Sequence, residues 1–343
     1  ATVQDDLATK DTAEQEYRFY AEMVYPPPGE MQPPEGEPLM LAGAVRVPRC
    51  HCVNFMAASA RKEEDEEDAD GTMPKKGRNQ YFLLLEMFSK PYWVSMNPAN
   101  GITMDQAMSA ITSLAQLHMA CENKETMDKL NWLPLTIFDL EKKMADDATG
   151  NEDSMIEDFK NMFDLNTGVL RQLLPEAAFA CCERLGHGGI DTVAEQLSKE
   201  PLTFCHGDYR TENIRFGAWG SPPEVGTFDF GLSCRCRAAY DVAYFVVLSQ
   251  PPHIRRERDL HLAWRYLEVT HGEPTEAMLG EFFQEIKMGL LAVMALTVMT
   301  RVAARNAGFY KETRETQTRL LRWVCIAAED WNAIDVLPEP AKQ

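Results

Sequence analysis

His206-Gly207-Asp208-Tyr209-Arg210-Thr211-Glu212-Asn213 and Phe228-Asp229-Phe230-Gly231 carry the densest chemistry in this chain of 343 residues. Asp208 precedes Asn213 by five positions, the offset that phosphoryl-transfer loops place between a proton-accepting carboxylate and a metal-binding amide. Upstream, Pro201-Leu202-Thr203-Phe204-Cys205 is a short apolar run with a β-branched and an aromatic residue, which predicts a buried strand delivering His206 into a polar loop. Ile214-Arg215-Phe216 and Val225-Gly226-Thr227-Phe228 predict two more strands, joined by a stretch from Gly217 to Glu224 dense in turn formers. The pair reads as an antiparallel hairpin. With its loop centred on Ser221, Asn213 faces Asp229 at a Cα separation of about 4.5–5.5 Å. An amide oxygen and a carboxylate then converge as hard donors suited to Mg²⁺, and Asp208 is placed to take a hydroxyl proton. Asp241 opens the apolar run Tyr240–Leu248, where it reads as an N-cap or a buried acceptor bracing the loop. Each motif alone is a common turn or cap. Their joint occurrence, with a hairpin between them, argues for a phosphotransferase site.

At these residues the chain resembles the aminoglycoside phosphotransferase and choline-kinase-like superfamily, whose fold is protein-kinase-like. His206 through Phe216 is especially similar to the His-Gly-Asp-Tyr-Arg-x-Asp-Asn-x-x-Phe form of its bacterial and acyl-CoA-dehydrogenase-linked branches. The resemblance implies an α+β fold of two lobes. A small β-containing lobe runs through about Phe88, and a large, mostly helical lobe occupies 89–343. It further implies ATP and Mg²⁺ as cofactors and a small-molecule hydroxyl as acceptor. Asp208 is then the base, His206 a catalytic-loop residue that orders it, Asn213 and Asp229 the metal ligands, and Asp241 the brace. Phe82-Leu83-Leu84-Leu85-Glu86-Met87 looks like the last small-lobe strand entering the hinge, where backbone groups at Glu86 and Met87 hold adenine. Glu16-Tyr17-Arg18-Phe19-Tyr20 is similar to the small-lobe helix whose Glu pairs with the nucleotide-binding Lys. Ser113–His118 resembles the end of the first large-lobe helix, and Val47-Pro48-Arg49-Cys50 the strand entry after the small-lobe helix. The motifs are highly specific only over 202–248.

Two departures bear on activity. Cys234-Arg235-Cys236-Arg237-Ala238-Ala239 stands where many relatives carry Trp-Gly-Pro, which predicts an altered substrate-side wall. Thr12-Ala13-Glu14-Gln15 fits a capping box opening a helix through Met23 or Val24, before Pro26, Pro27 and Pro28. The residues before Thr12 contain no Gly and a single Lys, Lys10. A phosphate-covering hairpin and a Lys-bearing strand do not fit there, so the chain either begins partway through its small lobe or lacks half of the nucleotide site. The rival reading is accordingly a catalytically inactive kinase-fold subunit or scaffold in a larger protein assembly. Retention of Asp208, Asn213 and Asp229 opposes it. No His/carboxylate metal cluster supports a hydrolase.

A net charge of −19 argues against nucleic acid or an anionic membrane as partner. Much of the acidity is Glu63-Glu64-Asp65-Glu66-Glu67-Asp68-Ala69-Asp70, flanked by Arg61, Lys62, Lys75, Lys76 and Arg78; 59–79 reads as a disordered insertion between small-lobe strands. Nine cysteines, an odd number, suggest a reducing compartment, the cytoplasm or an organelle entered with a removed targeting peptide. Cys50-His51-Cys52 and Cys234-Arg235-Cys236 lack the spacing of structural zinc sites, which leaves the thiols as packing residues. Thr103 to Gln106 is a second capping box, opening an amphipathic helix over about 104–121 in which His118 reads as a satisfied core histidine. Met288 to Thr300 is nearly all apolar, but Lys287 and Arg301 bound it. It falls short of the ~20 residues of a bilayer span, so it predicts a buried large-lobe helix. No signal peptide, transmembrane span or internal repeat is expected.

Overall fold

Helix α1 covers 13–19 and widens into a π-helical turn at Tyr20–Val24, with Phe19, Tyr20 and Met23 turned inward. The computed structural model describes residues 13–24, 45–48, 50–56, 80–139, 155–306 and 311–339. Lys10, Thr12, the triple proline and the acidic insertion at 59–79 lie outside the described residues. Strands β1 (Cys50–Met56) and β2 (Gln80–Leu85) pair antiparallel, with an irregularity between Cys50 and Cys52. After β2 the chain crosses to β3 (Trp93–Val94), the edge of a three-stranded antiparallel sheet. Its other members are β5 (Ile214–Gly217) and β6 (Val225–Thr227), in the order β3-β5-β6. Arg46 bridges to Gly226 on the far side of β6. A separate antiparallel pair, β4 (Thr203–Cys205) with β7 (Cys234–Cys236), lies fully inside and launches the loop beginning at His206.

Helices supply the rest. Helix α2 (Met104–Cys121) opens on the expected capping box: Thr103 Oγ1 accepts from the Gln106 amide at 3.2 Å, and Gln106 Oε1 accepts from the Thr103 amide at 2.9 Å. It is followed by α3 (Lys124–Lys129), α4 (Met155–Leu173), α5 (Glu176–Arg184) and α6 (Ile190–Leu197). Helix α7 (Ala239–Leu248) is apolar all round apart from Asp241 and is buried accordingly. The chain then forms α8 (Pro252–Arg255), α9 (Asp259–His271), α10 (Glu276–Asn306) and α11 (Lys311–Asp330).

Helix α10 is the spine of the large lobe. Leu290 through Ala295 are completely buried, and Gly289 lets it approach α7 so closely that a Cβ there would sit 2.6 Å from the Ala239 carbonyl. The buried helix expected from Met288 to Thr300 is thus present, but it is much longer. Lys287 and Arg301 do not end it, because both remain partly exposed and the Arg301 Nε donates to Thr318 Oγ1 at 3.1 Å. Over Glu276–Ala303 it is long and apolar enough to cross a membrane by composition, yet 61% of its most apolar window is buried inside the protein.

The β5–β6 hairpin forms as expected, with a register one residue from the expected one. Ile214 faces Thr227, Arg215 faces Gly226, and Phe216 faces Val225. The last pair closes through the Gly217 amide to the Glu224 carbonyl at 2.8 Å. That leaves an even loop, 218–223, with no residue at its centre, so Asn213 comes opposite Phe228 rather than Asp229. The Phe228 amide donates to the Asn213 carbonyl at 3.2 Å. A slip of one residue would send every later side chain to the other face of the ladder. Asp229 leaves the ladder instead, at φ 68°, in the left-handed region.

Candidate active site

The loop after β4 is fixed before any side chain does chemistry. Asp241, completely buried on α7, accepts from the His206 amide at 2.6 Å and the Gly207 amide at 3.0 Å. It also lies 3.2 Å from His118 Nε2, and His118 Nδ1 lies 2.8 Å from the Tyr266 hydroxyl. An ionised Asp241 can only accept, so His118 carries its proton on Nε2 and, when neutral, accepts from Tyr266 on Nδ1. His118 is a satisfied core histidine. Gly207 turns the loop at φ 85°; a Cβ there would meet the Leu232 carbonyl oxygen at 1.8 Å. Tyr240 Oη donates to the Gly207 carbonyl at 3.2 Å. His206 Nε2 reaches the Phe228 carbonyl at 3.0 Å, while its Nδ1 accepts from the Asp208 amide at 3.3 Å. One imidazole thereby ties the loop to the hairpin.

Asp208 emerges from this frame almost buried, with both carboxylate oxygens engaged. Arg210 Nε donates to Oδ1 at 2.8 Å and Asn213 Nδ2 to Oδ2 at 2.8 Å; the same Asn213 nitrogen donates to the Asp208 carbonyl at 3.0 Å. With its NH₂ committed to Asp208, Asn213 has its amide oxygen as the atom with metal-ligand chemistry. Asp229 is exposed, and its carboxyl is raised above the ordinary range by partial desolvation and then by the charge of Asp208, with His206 and Arg210 opposing. The Asn213 amide oxygen and the Asp229 carboxylate are hard oxygen donors, the chemistry a divalent cation such as Mg²⁺ takes.

The small-lobe residues reach the same place unequally. Glu16 on α1 accepts from the Phe230 backbone, and burial followed by the Asp229 charge lifts its carboxyl to about 7. Among the described residues no salt bridge reaches it. The helix is seated by Phe19, whose ring stacks on Phe230 at 3.7 Å between centroids. Glu86 is held bidentately by Arg46 Nη2, at 2.7 Å to each oxygen, and Met87 is 78% exposed.

The structure adds four participants to those the sequence predicts: Arg210, Glu212, Arg319 and Tyr244. Glu212 Oε1 lies 3.3 Å from Arg210 Nη1 and 3.5 Å from Arg319 Nη2 on α11, so charges alternate from Asp208 out to the last long helix. The Tyr244 phenol is pushed well up by burial and by Asp208, which places it beside the same carboxylate. Arg210 and Glu212 carry a signal in their alternation with Asp208; Arg319 carries none. His118, Cys205 and Asp241 also bring one ligand atom each within 4.8 Å of one another. Hydrogen bonding accounts for them: Asp241 accepts three bonds, and the Cys205 thiol points at the Cys236 and Arg237 carbonyls at 3.7 and 3.6 Å.

A family model described as the ecdysteroid kinase-like family matches residues 51–273, more than half of the chain. That span takes in Glu86, Asp208, Asn213, Asp229 and Asp241, and leaves out Glu16 and Arg319. No curated protein matches. Among solved structures the chain is similar to an ethanolamine kinase of Plasmodium vivax, at 12% identity over 83% of this chain and 69% of that one, with a TM-score of 0.45. It is similar to a choline/ethanolamine kinase family protein from Mesorhizobium loti at 14% identity, over 87% and 79% of the two chains, TM-score 0.48. Aminoglycoside 2'-phosphotransferase-IIIa is similar at 13% identity, over 84% and 79%, TM-score 0.45.

Proposed function

We propose that this chain, which belongs to the ecdysteroid kinase-like family, transfers the γ-phosphoryl group of ATP to a hydroxyl of a small molecule. Membership places it among the small-molecule kinase-like phosphotransferases, with their two-lobed α+β fold. One observation carries the finer reading: a nearly buried carboxylate, Asp208, gripped at both oxygens by Arg210 and Asn213 on a loop whose backbone is tied to Asp241. In the reaction proposed, Asp208 accepts the acceptor's hydroxyl proton as the new O–P bond forms and the bond to the bridging oxygen of ADP breaks. Arg210 sets a fixed positive charge beside the point where negative charge spreads over the transferring group. Asn213 and Asp229 would hold Mg²⁺, which neutralises phosphate oxygens when bound. His206 keeps the loop in register with the hairpin, and the backbone at Glu86 and Met87 would receive adenine.

The test is ADP release with Mg·ATP across a panel of hydroxyl acceptors: an ecdysteroid, choline, ethanolamine and an aminoglycoside. Acceptor-dependent turnover that stops on chelation supports the reading. The scaffold reading is favoured by Glu16, to which no cation is bonded among the described residues. Absence of both ATP binding by calorimetry and turnover across the panel would establish it in place of catalysis.

A further inference from the structure

A cavity of ≈ 220 Å³ opens on the back of the helical lobe. Thr203 and Arg237 border it, at the end of β4 and just past the end of β7 farthest from the loop at His206, so it is separate from the site at Asp208. Half of its lining is apolar or aromatic. Leu202, Leu267 and Met278 line it, and Tyr266 and Phe282 stand stacked at 5.1 Å with 15° between their planes. Its charge is one-sided. Of three lining carboxylates, Glu285 is neutralised by two bonds from Arg237, one of them from Nε at 3.2 Å. Glu122 and Glu281 are exposed, and among the described residues neither has a cationic partner. Of the two other basic side chains in the lining, His271 is engaged with Thr270 Oγ1 at 2.7 Å, and His118 has both ring nitrogens occupied, by Tyr266 and by Asp241.

We infer that this cavity is a second small-molecule site, selective for an amphipathic organic cation of about one ring and a short ammonium chain. Size sets the ring, since a cavity of about 150 Å³ with an apolar lining accepts benzene. Charge and the aromatic part of the lining set the cation, because an ammonium gains from the two carboxylates while its ring packs against Tyr266 and Phe282. The floor of the cavity is His118, which is hydrogen-bonded to Asp241, the acceptor that holds the His206 and Gly207 amides. An occupant therefore borders a side chain that links this cavity to the loop, and the amides of that loop report its presence. None of this depends on the proposed phosphoryl transfer.

The probe is phenethylammonium, titrated into the full chain by calorimetry beside 2-phenylethanol and 3-phenylpropanoate. A ligand of this size is expected to bind with a Kd of about 1 mM, as its few heavy atoms allow. The cation should bind about fivefold or more tighter than the alcohol, and the carboxylate more weakly than either. The double variant Glu122→Gln/Glu281→Gln, both at exposed positions, should bring the cation down to the level of the alcohol. Met119→Trp, at a lining position that is 45% exposed, should abolish binding of both with an unchanged melting curve. Phenethylammonium should also slow hydrogen exchange at the His206 and Gly207 amides in the parent and not in Met119→Trp. Equal affinity for cation and carboxylate, indifference to both variants, no saturable binding, or unchanged exchange at those amides would each overturn the assignment.

Discussion

On the large-lobe side of Asp229, Asp208 has both oxygens occupied, and Asp241 carries three bonds with no exposure to water. On the small-lobe side, Glu16 is lifted by burial and by Asp229, and Met87 stands open to solvent. The first wall is finished before a ligand arrives, which is what electrostatic preorganisation requires. The second is charged in a way that a cation or a proton must relieve. In the proposed reaction, proton acceptance would rest on the fold alone, and nucleotide holding on the fold plus what binds it.

Substituting the residue that the finished wall exists to hold should give the largest effect. Asp208→Asn is expected to lower turnover by about 10²–10⁴-fold with nucleotide affinity unchanged, because base assistance is lost only in the transition state. Steady-state ADP release beside calorimetry checks this, and parental activity in the variant would remove Asp208 from the mechanism. Next in size is Asp241→Asn. Its single amide oxygen cannot serve both the His206 and Gly207 amides and His118, and an orphaned buried donor costs about 1–3 kcal/mol. Denaturant unfolding should register a loss of about 3 kcal/mol; a loss under about 0.5 kcal/mol would mean the loop holds itself.

The small-lobe wall should respond with the opposite sign. Glu16 titrates near 7 in the folded chain against 4.5 for a free side chain. Between those values the unfolded chain releases its proton first, so stability falls as pH rises through the window and the cost is complete above 7. Glu16→Gln should therefore stabilise the apo protein by about 3 kcal/mol at pH 8 and make no difference at pH 4. A parent and variant with parallel stability profiles from pH 4 to 8 would show Glu16 to be paired and the two walls alike. The smallest effect belongs to Arg46→Met. It breaks a partly exposed ion pair with Glu86, and it should shift unfolding by no more than about 1 kcal/mol.

What the sequence disclosed follows from the distance along the chain over which each feature is set. The Asp208-to-Asn213 offset, the Thr103 capping box and the hairpin are local, and each forms. The register differs from the expected one because the loop holds six residues and so has none at its centre, and glycine and proline in 217–224 supply turn chemistry without fixing an even or odd count. Arg319 to Glu212 and Arg46 to Glu86 are long-range pairs between ordinary surface residue types, which no spacing rule singles out. The ends of α10 were misjudged for a related reason. A charged residue ends an apolar run on paper, whereas on a helix it needs only to face outward.

The cysteines turn this architecture into a measure of time. Of those with placed side chains, Cys50 alone is partly accessible, while Cys205, Cys234 and Cys236 fill the β4–β7 pair with no exposed surface. Burial alone pushes the Cys121 thiol up to about 12, while at Cys236 burial is outweighed by hydrogen bonding with Cys205 and Cys234, which holds the thiol down. What shields the strand-pair thiols from an alkylating reagent is that none of them has exposed surface. Modification of the strand-pair thiols must then wait for that pair to part, and its rate reads out the opening free energy where reclosing is fast. Mass spectrometry on alkylated peptides would show Cys50 modified in the first moments and the interior thiols only at the pace at which the loop at His206 loses its footing.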